Sequence, residues 1–174
     1  MPDFGFEIRP VRKDELPLLN DIENKAAILY QNSEYDFLLE LEPLSIDYLK
    51  AQHQKGQVWV AVTKENKAFG FAVAMIVDRQ VHLQEVSVLP EFGRCGIGRA
   101  LVQKVLNWTK ENNYPSVTLF TYVDIPWNAP FYRKMGFVEF SSQKFGAELK
   151  QIQQKEKELG LYKKKRVCMI KVFK

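Results

Sequence analysis

The chain has 174 residues, 46% hydrophobic and 13% aromatic, and a net charge of +4. That length fits one domain whose folding hides roughly two-thirds of the unfolded surface, and no run nears the roughly eighteen apolar residues of a membrane-spanning helix. The two cysteines, Cys95 and Cys168, lie far apart without ligand spacing around them, which argues against a disulfide framework or a metal site and for a reducing cytoplasm.

The mixed, acidic start Met1-Pro2-Asp3-Phe4 does not read as a secretory signal. Apolar and polar residues alternate over 6–12, predicting a first strand. Asp14 then opens a helical pattern through Leu16, Leu19, Ile22 and Ala26 towards Tyr30. Periodicity weakens over 31–44, after which Ser45 caps a predicted helix over 46–54, closed by Gly56. Strand-like runs at 58–62, 68–77 and 81–89 are separated by polar turns, as in an antiparallel meander. After a glycine-rich turn, Ile97, Leu101, Val105 and Trp108 recur at helical spacing until Asn112, Asn113 and Pro115. A strand at 117–122 completes a βαβ unit. A short helix at 129–135, a strand at 137–140, a charged helix at 147–159 and a last strand at 166–173 follow. With no repeat, low-complexity tract or linker, the expectation is a single mixed α/β domain over 1–174 with a central, mostly antiparallel sheet.

Lys163-Lys164-Lys165-Arg166 concentrates much of the positive charge. Such a run keeps a strand soluble or blunts a sheet edge. No aromatic residues interleave it, which argues against nucleic acid as a partner.

The stretch PEFGRCGIGRAL at 90–101 places Gly93, Gly96, Gly98, Arg94 and Arg99 between a strand and a helix. The first N–H groups of a helix lack intrahelical partners, and its dipole makes that end positive, so a phosphate fits there if no Cβ intervenes. A dinucleotide fingerprint would need glycine where Leu101 stands, and a P-loop would need Lys-Ser/Thr where Arg99-Ala100 stands. Spacing alone leaves a phosphate cradle and a tightly packed turn both open.

VSVLPEFGRCGIGRALVQKVLNW, followed by WNAPFYRKMGF, resembles the GNAT superfamily of acyl-CoA-dependent N-acyltransferases. The matching elements are Val86-Ser87-Val88-Leu89-Pro90, Gly96-Ile97-Gly98 and Phe131-Tyr132-Arg133-Lys134-Met135-Gly136-Phe137. The resemblance implies that Arg94, Cys95, Gly96, Ile97, Gly98 and Arg99 hold the pyrophosphate of acetyl-CoA, while the backbone of Val86 and Val88 meets the pantetheine arm. Two positions depart from the pattern. The family's Arg/Gln falls on Gly93, one place before Arg94, and its Asn-x-x-Ala falls on Ile125 and Asn128. Asn128 is either a displaced cofactor contact or a helix cap.

An alkylamine near pKa 10.4 is only about one part in a thousand neutral at pH 7, so N-acetylation needs a base. Glu85 and His82, on the strand entering the turn, are candidates, as is a water chain. Strict alternation puts His82 with Gln84, Val86 and Val88, and Glu85 with Leu83 and Ser87. The resemblance implies a bulge that resets this parity, so the side facing the amine stays open. Tyr132 matches the family tyrosine that protonates the leaving thiolate, and a backbone N–H of Val86 or Val88 serves the carbonyl oxygen.

The 30–44 segment mixes Glu34, Asp36, Glu40 and Glu42 with Tyr30, Tyr35 and Phe37, which suits either a cationic amine, from a small molecule or a peptide, or simply a solvated helix end. The expected function is direct transfer of acetyl from acetyl-CoA to a primary amine in a ternary complex, without metal. A non-catalytic acyl-CoA sensor is the alternative. An exposed last strand would permit a homodimer.

Overall fold

The computed structural model describes residues 5–174. Seven strands form one sheet: β1 (Phe6–Pro10), β2 (Val58–Thr63), β3 (Ala68–Val77), β4 (Gln80–Val88), β5 (Ser116–Tyr122), β6 (Val138–Glu139) and β7 (Arg166–Val172), in the order β1-β2-β3-β4-β5-β7-β6. The β4–β5 pairing is parallel; β1–β2, β2–β3, β5–β7 and β6–β7 are antiparallel. Five helices accompany the sheet among the described residues: α1 (Leu16–Ala26), α2 (Ile46–Gln54), α3 (Ile97–Glu111), α4 (Ala129–Lys134) and α5 (Ala147–Glu158). The mixed α/β architecture with a mostly antiparallel sheet is the one expected. The parallel pair is the βαβ unit, joined through α3.

Contacts divide the chain into two compact units, one reaching to Ala74 and resuming over Glu85–Val105, the other made of Met75–Gln84 and Leu106–Lys174. In the first, Leu16, Leu19 and Ile22 follow one another at helical spacing on α1 and are buried, together with Val58, Val60 and Val62 at strand spacing on β2. Leu49 of α2 and Phe71 and Val73 of β3 complete this core. Both faces of β2 are covered, since Trp59 and Ala61 are also buried, and so its sequence reads as a nearly continuous apolar run. Glycine at position 70 lets β3 approach closely: a Cβ there would lie 3.2 Å from the Ser87 carbonyl oxygen and 3.4 Å from Leu101 Cδ1.

The long helix expected from Asp14 to Tyr30 is divided. A 3-10 turn (Lys13–Glu15) precedes α1, and a second one (Ala27–Tyr30) follows it. The start is fixed by Glu15 rather than Asp14: its carboxylate accepts the Arg12 N–H at 2.8 Å and pairs with Arg9 at 2.6 Å. The weakly periodic 31–44 segment holds only a 3-10 turn (Asp36–Glu40). Ser45 caps α2 as expected, its hydroxyl accepting the Tyr48 N–H at 3.1 Å.

In the second unit, Val77, Phe145, Leu149 and Cys168 are packed with Phe120, Phe140 and Ile152. The β3–β4 hairpin turns on Asp78 and Arg79, with φ of 50° and 63°, the two left-handed positions of a two-residue type I′ turn. The Asp78 carboxylate also accepts the N–H groups of Glu148 and Leu149 at 3.1 and 2.9 Å. It thereby caps α5, whose own N-cap residue is a glycine. The basic run is only partly a surface feature. Arg166 is turned inward, paired with Glu156 at 3.1 Å and stacked 4.5 Å from the Tyr122 ring.

Candidate active site

In the first unit, β4 leads from Glu85 through Val86 and Val88 into the turn at 90–96, and then into α3. The first α3 backbone bond runs from the Ala100 N–H to the Gly96 carbonyl at 3.0 Å. The N–H groups of Ile97, Gly98 and Arg99 therefore precede the ladder and point out of the helix's positive end. Ile97 anchors this end: the residue is 1% exposed, its side chain packed into the interior. Arg94, Cys95 and Arg99 are exposed. Arg94 adopts φ of 61° and Gly96 φ of 77°, which folds the chain back sharply over the helix start.

The choice left open by spacing turns on Gly98. A Cβ built there meets nothing within 4 Å, so packing within the chain gives no reason for glycine. A helix by itself favours alanine over glycine by roughly 0.5–1 kcal/mol. A glycine in this place makes physical sense if a group outside the chain approaches the bare backbone. The turn therefore fits a diphosphate: free amides, a positive helix end, flanking guanidinium groups and no side chain in the way.

Glu85 accepts the Ser87 hydroxyl at 2.8 Å, which puts the two on one face of β4, as alternation expects. Its charge reaches two groups that the sequence had not singled out. Glu23 of α1 is pushed up to about 8, chiefly by burial and then by Glu85, while a bond from the Leu44 N–H at 3.0 Å opposes this. The Tyr48 phenol of α2 is also raised, by burial first and Glu85 second.

The second unit holds the other expected site residues. His82 is 1% exposed, its Nδ1 lies 2.9 Å from Thr118 Oγ1, and its ring stands 5.5 Å from that of Phe120. Burial lowers its pKa to about 3, with Arg166 adding to the effect. The imidazole is therefore neutral and enclosed, an arrangement that serves packing. Asn128 does not make the expected side-chain cap. Instead its Oδ1 accepts the Thr121 hydroxyl at 2.9 Å and the Tyr122 N–H at 3.3 Å, tying the start of α4 to the end of β5. Tyr132 lies on α4, with its ring edge-on to Phe131 and Phe137 at 5.1 and 5.6 Å. Gly136 beyond it has φ of 88°. Lys171 Nζ donates to the Met135 carbonyl at 2.6 Å, closing the helix. No group of His, Cys, Asp and Glu able to hold a metal occurs among the described residues, and no helix among them is long and apolar enough to cross a membrane.

Comparison with known proteins agrees with this geometry. A family model described as an acetyltransferase (GNAT) domain matches residues 54–139, which include β4, the turn, α3 and α4. A [ribosomal protein bS18]-alanine N-acetyltransferase of Haemophilus influenzae is 28% identical over 118 residues, 64% of this chain and 80% of that protein. A GNAT-family acetyltransferase of Staphylococcus aureus superposes with a TM-score of 0.74 at 16% identity, covering 98% of this chain and 100% of the other. The PaiA N-acetyltransferase of Thermoplasma acidophilum, solved in complex with coenzyme A, gives 0.68 at 16% identity over 97% of this chain and 99% of that one. The glycine turn and the Phe-Tyr…Gly-Phe element both lie inside the matched region, and the family model, the Haemophilus protein and the solved structures together support the GNAT superfamily of acetyltransferases.

Proposed function

We propose that the whole chain is one N-acetyltransferase domain, moving an acetyl group from acetyl-CoA to a primary amine by direct attack in a ternary complex. The observation that carries this reading is the open turn at 94–99, where three amides precede the α3 ladder beside a glycine that no intrachain contact requires. Arg94, Cys95, Gly96, Ile97, Gly98 and Arg99 hold the diphosphate, mainly through backbone N–H groups, and Val86 and Val88 offer theirs to the pantetheine arm and the thioester oxygen. The coenzyme A complex of the Thermoplasma relative supports this choice of donor.

Glu85 takes the proton that the amine must lose before its nitrogen can attack the thioester carbon. The carbon–sulfur bond then breaks, and Tyr132 returns a proton to the sulfur. A phenol near pKa 10 can do so for a thiolate whose thiol is near 8.5 only when geometry favours the transfer. His82 has no part in this scheme, because a neutral ring sealed in the core is a poor proton acceptor. Asn128 keeps its structural role, and its carbonyl oxygen is already engaged twice. The acceptor is an amine that arrives as a cation, from a small molecule or a polypeptide terminus; the Haemophilus relative is named for an alanine of a ribosomal protein.

Calorimetry with coenzyme A, followed by coenzyme A release over a panel of amines, tests the proposal. Folded protein showing neither heat nor thermal shift with coenzyme A or acetyl-CoA would refute it.

A further inference from the structure

The excursion between α1 and α2 is built from residue types that normally fill a core, yet it buries none of them. No residue over 27–43 is buried, although leucine and aromatic residues crowd the stretch. Ile28, Leu29 and Leu39 are 53, 48 and 41% exposed. The two 3-10 turns that carry them touch, and an aromatic row links the turns: the Tyr35 ring stands 6.4 Å from Tyr30 and 6.4 Å from Phe37. This ridge is preformed. The Ser33 hydroxyl donates to the Tyr30 carbonyl at 2.6 Å and accepts the Tyr35 N–H at 3.1 Å. At its foot, Asn20 of α1 donates to the Leu44 carbonyl at 2.7 Å and Glu23 accepts the Leu44 N–H at 3.0 Å. A merely solvated helix end, which the sequence also allowed, would not present such a surface.

Charge selects among the partners that could cover the ridge. No Lys or Arg occurs between Lys25 and Lys50, whereas Glu34, Asp36, Glu40 and Glu42 do, in a chain whose net charge is +4. Asp36, Glu40 and Glu42 are exposed and form no ion pair among the described residues. A second copy docked through its own ridge would set like charges against each other, because a two-fold interface faces each patch with itself. Anionic lipid and nucleic acid are repelled for the same reason. A small polar cation leaves the aliphatic side chains uncovered, whereas contiguous exposed apolar surface marks contact with another protein. We propose that the 27–42 ridge docks a polypeptide in which apolar side chains stand among Lys and Arg. On the transferase reading above, on which this assignment of substrate class rests, that polypeptide carries the acceptor amine. Its apolar residues cover Ile28, Leu29 and Leu39, its cationic groups pack against the tyrosine rings, and the carboxylates steer its approach.

The test compares two short amidated peptides with a free N-terminal alanine, one alternating Leu with Lys and Arg, the other carrying Ser in place of every Leu. Spermidine serves as a polycation without apolar side chains. Isothermal titration against full-length protein reads binding without turnover, and coenzyme A release from acetyl-CoA reads KM and kcat. The Leu peptide is expected to bind at least about tenfold more tightly than either the Ser peptide or spermidine. Leu29→Ser and Leu39→Ser combined should erase that preference, raising KM for the Leu peptide about tenfold at unchanged kcat and leaving coenzyme A affinity within about twofold. Both side chains are exposed, so the core is untouched, and an unchanged Tm checks this. Glu40→Lys with Glu42→Lys should weaken the Leu peptide as well, by a factor that shrinks in about 0.5 M salt. Equal binding of the two peptides, spermidine binding as tightly as the Leu peptide, or a preference that survives the double serine variant would each overturn the docking surface. Peptide binding at the ridge with no coenzyme A release from acetyl-CoA for any amine sinks the transferase reading and leaves the docking surface standing. Turnover of small amines without any peptide preference does the reverse.

Discussion

Replacing Gly98 by alanine separates the needs of the fold from those of the ligand, because the two effects have opposite signs. The new Cβ meets nothing within 4 Å, and position 98 is helical, the second residue of α3. The substitution should therefore stabilise the protein by about 0.5 kcal/mol, towards the lower end of the glycine-to-alanine range because the site lies in the first turn. For a chain of this size that corresponds to a rise of roughly 1–2 °C in Tm. The same methyl group stands over amides assigned to the diphosphate, so coenzyme A affinity should fall by at least about tenfold, a loss of about 1.4 kcal/mol. Differential scanning calorimetry without ligand and isothermal titration with coenzyme A give the two numbers on one preparation. A lower Tm would mean that the glycine serves packing after all. Unchanged affinity would remove the reason given for the residue and the main support for the cradle.

Other substitutions probe the site and the core. Tyr132→Phe should lower kcat by about a hundredfold with the best amine while leaving coenzyme A binding within about twofold; full turnover in that variant would exclude the phenol as proton donor. Cys95 is exposed in the turn, so iodoacetamide should alkylate it several-fold more slowly when coenzyme A is bound, as followed by mass spectrometry. Arg166→Ala leaves the buried Glu156 carboxylate without its partner and should cost about 3–5 kcal/mol in urea unfolding, whereas replacing both by apolar residues should cost much less. Burial lowers the folded pKa of His82 from 6.5 to about 3. Its contribution to stability is therefore complete above pH 6.5 and falls by about 1.4 kcal/mol per pH unit as the solution is acidified towards pH 3. His82→Gln should flatten that part of the urea-derived stability profile.

Much of the fold could be read along the chain because its strongest determinants are local. The alternation in β1, the apolar run of β2, the Ser45 cap and the 3.6-residue stripe of α3 each act over a few residues. The errors fall where a distant residue decides. The helix drawn from Asp14 to Tyr30 contains nothing that warns of Glu15 being fixed by Arg9 and Arg12. Asp78 reads locally as a turn residue, yet it also caps a helix that begins about seventy positions later. The Lys163–Arg166 run looks uniformly solvated, although its last residue is committed to Glu156 in the interior.

The candidate site divides along the same line. Its backbone half was legible, since glycines ahead of a helical stripe imply bare amides at a positive helix end wherever the chain goes. Its proton-handling half was not, because basicity depends on burial, which sequence does not state. His82 and Glu85 stand three apart on one strand, and by ordinary pKa the imidazole is the better base at neutral pH. Desolvation reverses that order, because it penalises whichever form is charged: it weakens a histidine as a base and strengthens a carboxylate. The enclosed ring of His82 shows the first effect and Glu23 the second. Glu23 itself sits between Asp21 and Lys25 like any solvated helix residue. Its burial shows only in the fold, where Leu44, twenty-one positions later, donates its N–H to the carboxylate. On the proposed scheme, the group with the less suitable intrinsic pKa is the one whose basicity burial would raise.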